Sequence, residues 1–170
     1  MPEWIRPGTG RSLKIFFLLT DSLLRKKVWN NPASFEPVVS IVIVTFNAAA
    51  HLETCLQSVF KQSFKNYELL VFDGNSSDAT HEILQKYQYQ INYWQAEADK
   101  GIYDAMNKSI EYTRGNWIYF LGADDHLTNE FSSAAALLQQ KNTIYYGYCF
   151  MNDHITNAAL TAYDVAKINV

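Results

Sequence analysis

Cysteine, proline and glycine are all scarce in this 170-residue chain, at two, four and seven residues. Cys55 and Cys149 cannot build a disulfide framework, and each stands in an apolar run, so buried free thiols in a reducing compartment are expected. Few glycines and prolines beside 48% hydrophobic residues exclude collagen-like, low-complexity and disordered classes. No GxxxxGK[ST] occurs, which excludes a P-loop phosphotransferase, and no GxGxxG follows the first strand of the domain, which speaks against a dinucleotide oxidoreductase. The GxSxG elbow of α/β serine hydrolases is also missing. The four histidines (His51, His81, His126, His154) lack metal-ligand spacing, and His51 and His81 read as solvated helix-surface residues. No apolar run reaches the roughly 20 residues of a membrane-spanning helix.

The length suits one domain with a proper core. The net charge of −3 is unevenly spread. Residues 1–30 carry six basic and two acidic side chains, whereas the rest of the chain carries eight basic and fifteen acidic ones. An acidic body is a poor partner for a polyphosphate backbone, so no nucleic-acid partner is expected. It is a suitable body for divalent cations.

A head of residues 1–36 precedes a domain of residues 37–170. In the head, Leu13, Phe16, Phe17, Leu19, Leu23 and Leu24 are flanked by Arg11, Lys14 and Arg25-Lys26-Lys27. This predicts a basic amphipathic helix, lying on an anionic membrane surface through residues 1–28 or packed on its own domain or a partner. A small-residue cleavage site does not follow the apolar stretch, so it is not read as a secretory signal. The expected location is cytoplasmic, with peripheral contact to the inner face of the cell membrane.

From Pro37 strands and helices alternate. Apolar strands are expected over Val38–Phe46, Tyr67–Phe72, Ile91–Trp94, Trp117–Leu121 and Thr143–Phe150. Helical stripes lie between them at Leu52/Cys55/Leu56/Val59/Phe60, Thr80/Ile83/Leu84/Tyr87, Tyr103/Met106/Ile110 and Phe131/Ala134/Leu137/Leu138. Such alternation predicts an α/β domain, a mostly parallel sheet with helices on both faces. Ligands bind such sheets at the carboxyl ends of the strands. There the apolar runs give way to Thr45-Phe46-Asn47, Asp73-Gly74-Asn75-Ser76 and Gly122-Ala123-Asp124-Asp125. Each cluster has a bland use: Asn47 as a helix cap, Asp73-Gly74 as a turn, Asp124-Asp125 at a helix dipole. All three on one sheet edge favour a site, and adjacent carboxylates favour a hard cation held partly by substrate phosphates.

Three segments in order carry a resemblance: VSIVIVTFN (39–47), LQSVFKQSFKNYELLVFDGNSSDAT (56–80) and EADKGIYDAMNKSIEYTRGNWIYFLGADD (97–125). They resemble family 2 glycosyltransferases of the GT-A nucleotide-diphospho-sugar-binding fold, in the branch that builds bacterial surface polysaccharides of the colanic-acid type. The resemblance implies an inverting enzyme with a nucleotide-sugar donor, a UDP-sugar first of all, and a saccharide or lipid-linked acceptor. It implies that Thr45 and Asn47 line the nucleotide pocket and that Asp73 accepts a hydrogen bond from the base. It further places Asp99, Lys100 and Gly101 near the sugar diphosphate, with Asp104 and Asn107 facing the same pocket. Asp124 takes the last position of the family's D-x-D motif, which implies Mg²⁺ or Mn²⁺ held by Asp124 and Asp125.

Two departures from the family pattern stand out. Gly122 replaces the first Asp of that motif. The family's catalytic base and acceptor surface follow the fifth strand of the domain, and no counterpart is recognisable: beyond Phe150 the carboxylates are Asp153 and Asp164. The expectation is therefore a donor-binding half, C-terminally truncated, with the base unassigned and weak or no transfer alone. The competing expectation is a non-catalytic nucleotide-sugar-binding module.

Overall fold

A computed structural model describes residues 15–19, 36–138, 144–146 and 161–163, with side chains described from 36 to 138. The seven strands are β1 (Ile15–Leu19), β2 (Val39–Thr45), β3 (Tyr67–Asp73), β4 (Tyr93–Ala96), β5 (Trp117–Gly122), β6 (Ile144–Tyr146) and β7 (Thr161–Tyr163). The helices are α1 (Leu52–Phe60), α2 (Thr80–Tyr87), α3 (Ile102–Ile110) and α4 (Glu130–Ala135). The sheet runs β4-β3-β2-β5-β1-β6-β7. Strands β2 to β5 pair in parallel, and β1, β6 and β7 continue the sheet antiparallel.

β2 is central and every residue in it is buried. Alternation explains why it reads as an unbroken apolar run: Val39, Ile41 and Ile43 face α1 and α2, while Val42 and Val44 face α3. The first face holds the larger core, with Leu52, Leu56, Val59 and Leu84 almost inaccessible. Each such side chain contributes about 1.5–3 kcal/mol by leaving water. The second face is smaller and aromatic, Phe72 meeting Tyr93 and Tyr112 at centroid distances of 5.8 and 5.4 Å. Burial there pushes the Tyr93 hydroxyl up to about 12.

The alternating domain is as the sequence predicts, with shifted boundaries. β4 begins two residues late because Ile91 still closes the turn after α2, its N–H donating to Tyr87 O at 3.2 Å. α4 ends before Leu137 and Leu138. Of the expected last strand, the described residues Ile144–Tyr146 form β6, and β7 was not foreseen. The head needs correction over five residues: Ile15–Leu19 is a strand, not part of a helix, pairing with β5 (Leu18 opposite Ile118, Leu19 opposite Trp117) and with β6. The physical reason is local and tertiary. IFFLL combines a β-branched residue with two aromatics, and the β5 edge facing away from β2 offers unpaired backbone groups. Residues 1–14 and 20–35 of the head, and Cys149, His154, Asp153 and Asp164, lie outside the described residues.

Candidate active site

The parallel strands bring three polar loops to one edge. The loop after β2 and the loop after β3 are laced together. Asn47 N–H donates to Ser76 Oγ at 2.8 Å, and Ser77 N–H donates to Asn47 Oδ1 at 2.9 Å. Ala48 N–H and Ala49 N–H donate to Thr80 Oγ1 and Asp78 Oδ2, both at 3.0 Å. Hydrogen bonds from the Thr80 hydroxyl first, then from backbone N–H groups, hold the Asp78 carboxyl below its usual range. Asn47 therefore bridges loops and does not cap α1, whose N-cap is His51. Both Asn47 and Asn75 have positive φ, 49° and 66°, a conformation asparagine tolerates better than most residues.

Asp73 ends β3 and is 3% exposed. Ser76 grips it from one side, its N–H donating to Oδ2 at 2.9 Å and its hydroxyl to Oδ1. Thr45 ends β2, and its buried hydroxyl has no hydrogen-bond partner among the described residues. It lines a cleft of about 380 Å³ with Phe46, Gly74, Asp99, Gly101 and Ile102. Gly74 keeps this cleft open, because a Cβ there would come within 2.8 Å of Asp99 Oδ2 and 3.3 Å of the Phe46 ring. Asp99 is shared with an adjoining niche that Asp73 also lines. Gly101 N–H donates to Asp99 Oδ1 at 2.7 Å, and Gly101 has φ 109°, which an L side chain rarely adopts.

Thr45, Asp99 and Gly101 thus meet around one cleft, with Asp73 next to it. Lys100, Asp104 and Asn107 are not among the residues lining that cleft. Asp104 instead accepts Lys100 N–H at 3.1 Å and pairs with Lys108 at 3.1 Å, contacts that hold its carboxyl below the usual range. Asn107 is exposed on α3. Sequence reasoning passed over Phe46 and Ile102, which are 65% and 53% exposed and line the cleft. A large apolar residue between a buried strand and a polar loop was the available signal.

Asp124 and Asp125 follow β5, with Asp125 N–H donating to Gly122 O at 3.0 Å in a tight turn. Their carboxylates converge over the bare Cα of Gly122, where a Cβ would meet Asp125 Oδ2 at 2.7 Å and Asp124 Oδ1 at 2.9 Å. Glycine in place of the motif's first aspartate therefore lets both remaining carboxylates share that space. Two hard oxygen donors fit a magnesium-type ion that takes its other ligands from a diphosphate and water. No group of three or more His, Cys, Asp or Glu side chains arranged for a metal occurs among the described residues. Here protein ligands would supply only part of the coordination shell.

The profile of the family described as Glycosyl transferase family 2 matches residues 40–157. The chain belongs to that family. A PGL/p-HBAD biosynthesis glycosyltransferase of Mycobacterium bovis is 39% identical over 94 residues, covering 54% of this chain and 37% of the relative. The Escherichia coli UDP-Glc:alpha-D-GlcNAc-diphosphoundecaprenol beta-1,3-glucosyltransferase WfgD is 31% identical over 121 residues, covering 69% of this chain and 48% of that protein. Among solved structures, S. aureus TarS 1–349 in complex with UDP-GlcNAc superposes with TM-score 0.53 and 26% identity over 58% of this chain and 30% of that one. The Pyrobaculum calidifontis mannosyltransferase PcManGT in complex with GDP-Man and Mn²⁺ shares the fold, with TM-score 0.59 and 20% identity over 71% of this chain and 38% of its own. The chain therefore spans under half the length of these relatives.

Proposed function

We propose that this glycosyltransferase-family chain binds a nucleoside-diphosphate-sugar, a UDP-sugar first of all, at the cleft beside the ends of β2 and β3, with the acidic turn after β5 at the same sheet edge. The carrying observation is the pairing of Thr45 and Asp73 at adjacent strand ends. One presents a buried hydroxyl with no partner among the described residues, and the other a carboxylate whose described side-chain hydrogen bonds come from Ser76. Buried polar groups are ordinarily satisfied, so a free one beside a cleft marks a ligand contact. Asp73 accepts from a ring N–H of the base, and Thr45 bonds the nucleoside. Gly74 and Gly101 let backbone approach the diphosphate. Asp124 and Asp125 hold the divalent cation, Mg²⁺ or Mn²⁺. When bound, that cation neutralises charge developing on the departing diphosphate.

The reaction served is inverting transfer, in which an acceptor hydroxyl attacks the anomeric carbon opposite the leaving nucleoside diphosphate. The TarS and WfgD names, with UDP-GlcNAc and UDP-Glc in them, support uridine over other bases. The WfgD name, with its alpha-D-GlcNAc-diphosphoundecaprenol, supports a lipid-linked saccharide acceptor. Calorimetric titration of UDP with and without Mn²⁺ tests the reading. Metal-enhanced UDP binding that Asp124→Asn makes metal-independent is expected. Binding equal with and without metal would remove the carboxylate pair from the site, and no UDP binding at all would remove the cleft.

A further inference from the structure

The loop carrying Asp124 and Asp125 is pinned from one face of α1 and the turn that follows it. Three side chains project there at positions 55, 58 and 62, a spacing of three and four residues that aligns them on one helix face. Cys55 Sγ donates to Gly122 O at 3.5 Å, before the acidic pair. Beyond the pair, Leu127 N–H donates to Ser58 Oγ at 2.9 Å. Gln62 Nε2 then donates to Thr128 O at 3.1 Å, and also to Ser58 O at 3.0 Å. The amide is held in turn by Ser132 Oγ, which donates to Gln62 Oε1 at 2.9 Å. Gln62 is only 2% exposed, so it sits where an apolar residue would ordinarily pack.

We propose that Gln62, with Ser58 supporting it, is a positioning residue for the carboxylates of Asp124 and Asp125. A glutamine in a core position costs desolvation unless every polar atom is used, and here both the amide nitrogen and the oxygen are. What those bonds secure is the far end of the acidic turn. Gly122 contributes no side chain to the acidic turn. Both carboxylates ride on the backbone of residues 122–128, and α1 with the turn after it holds that backbone at both ends. The inference rests on the assignment of Asp124 and Asp125 to the cation.

The test measures Mn²⁺ affinity of the full chain in the presence of UDP, UDP affinity without metal, and the melting temperature. Gln62→Met keeps the volume and removes all three hydrogen bonds of the Gln62 side chain, and Ser58→Ala removes the bond from Leu127 N–H together with the one that Ser58 Oγ donates to Cys55 O at 2.6 Å. Outer-shell partners of a metal site typically control 10–100-fold of its affinity, so Gln62→Met should weaken Mn²⁺ binding by about that factor, with metal-free UDP affinity unchanged. Ser58→Ala should weaken it less, in the same direction. Leu84→Val, in the core beneath α2, sets the control for general destabilisation and should lower the melting temperature alone. Wild-type Mn²⁺ affinity in both folded variants overturns the proposal, as does an equal Mn²⁺ loss in Leu84→Val. Asp124→Asn separates the two readings: if it leaves Mn²⁺ affinity intact, the cation assignment itself has failed.

Discussion

The two ends of the parallel sheet treat buried polar groups in opposite ways. At the amino end of the strands Glu68 is inaccessible to water and its oxygens are crowded with donors. Ser40 Oγ and Arg114 N–H reach Oε1 at 2.5 Å, Arg114 Nε reaches Oε2 at 2.9 Å, and Gly115 N–H approaches Oε1 at 3.3 Å. At the carboxyl end, Thr45 keeps an unused hydroxyl and Asp73 is bonded by Ser76 alone among the hydrogen bonds that define the loop. Saturated polar groups hold strands in place. Groups with spare capacity beside a cleft can receive a ligand, the role proposed for Thr45 and Asp73. On that proposal, the difference separates a structural charge from a ligand-binding one better than residue type does, since both ends use a carboxylate near a strand terminus.

Substitutions at the two ends should therefore part cleanly, and the largest effect belongs to the closed end. Glu68→Ala leaves Arg114 without its carboxylate and should destabilise the fold by about 3–5 kcal/mol, the cost of breaking a buried pair from one side. Chemical denaturation measures it, and a loss under 1 kcal/mol would mean that water reaches this end readily. Gly115→Ala acts at the same place, because its Cβ would collide with the backbone nitrogen of Ser40. Overpacking of that kind costs about 1–3 kcal/mol.

At the open end the losses should fall on binding. Asp73→Ala should weaken UDP by about 1.5–3 kcal/mol, the range for hydrogen bonds to charged groups, as read by calorimetry. Unchanged affinity in a folded variant would remove Asp73 from the base contact. Thr45→Val is the finer probe. It deletes a hydroxyl that has no partner among the described residues, so stability should hold or rise, while UDP affinity drops by about 0.5–1.5 kcal/mol. A stability loss without a binding loss would show that the hydroxyl serves the fold.

The smallest effect concerns pH. The folded Asp78 carboxyl lies below its ordinary value of 3.8, so its contribution is present above that value and is lost as pH falls through the lowered one. Asp78→Asn should make the fold less sensitive to acid below about pH 4. Thermal melts of both proteins between pH 2 and 6 compare the slopes, and parallel curves would discount the Asp78 bonds to Thr80 and Ala49.

Much of the fold and part of the site were legible in the sequence because burial on both sheet faces writes a simple signal. VSIVIVT and YELLVFD could only be central strands, and the polar residues that end them could only emerge at one edge. That edge and the family motifs pointed to Asp73, Thr45 and Gly101, and the structure places Thr45 and Gly101 on one cleft with Asp73 beside it. Asp104 shows the limit of such reading. Its place in the motif put it in the pocket, whereas its carboxylate is engaged by Lys108 and Lys100 N–H, because a helix start and an i, i+4 lysine compete for it. The strand at Ile15–Leu19 was missed for a related reason: basic flanks and dense apolar residues suit a helix and a strand alike, and the open edge of β5 decided between them.

What the sequence by itself determined is the order of the alternating elements from β2 to α4, the central strand, the family and the edge at which chemistry can occur. All of these depend on local periodicity and short motifs. Only the tertiary structure decided which polar residues are spent and which are spare. Glu68 and Asp73 both border apolar strand residues, and nothing in their neighbours along the chain tells them apart. The donors that saturate Glu68 come from Ser40, Arg114 and Gly115, on β2 and the turn before β5, while Asp73 lines a niche adjoining the cleft that Gly74 keeps open. Hydrogen-bond capacity is consumed by spatial neighbours, and those are settled only when the sheet closes.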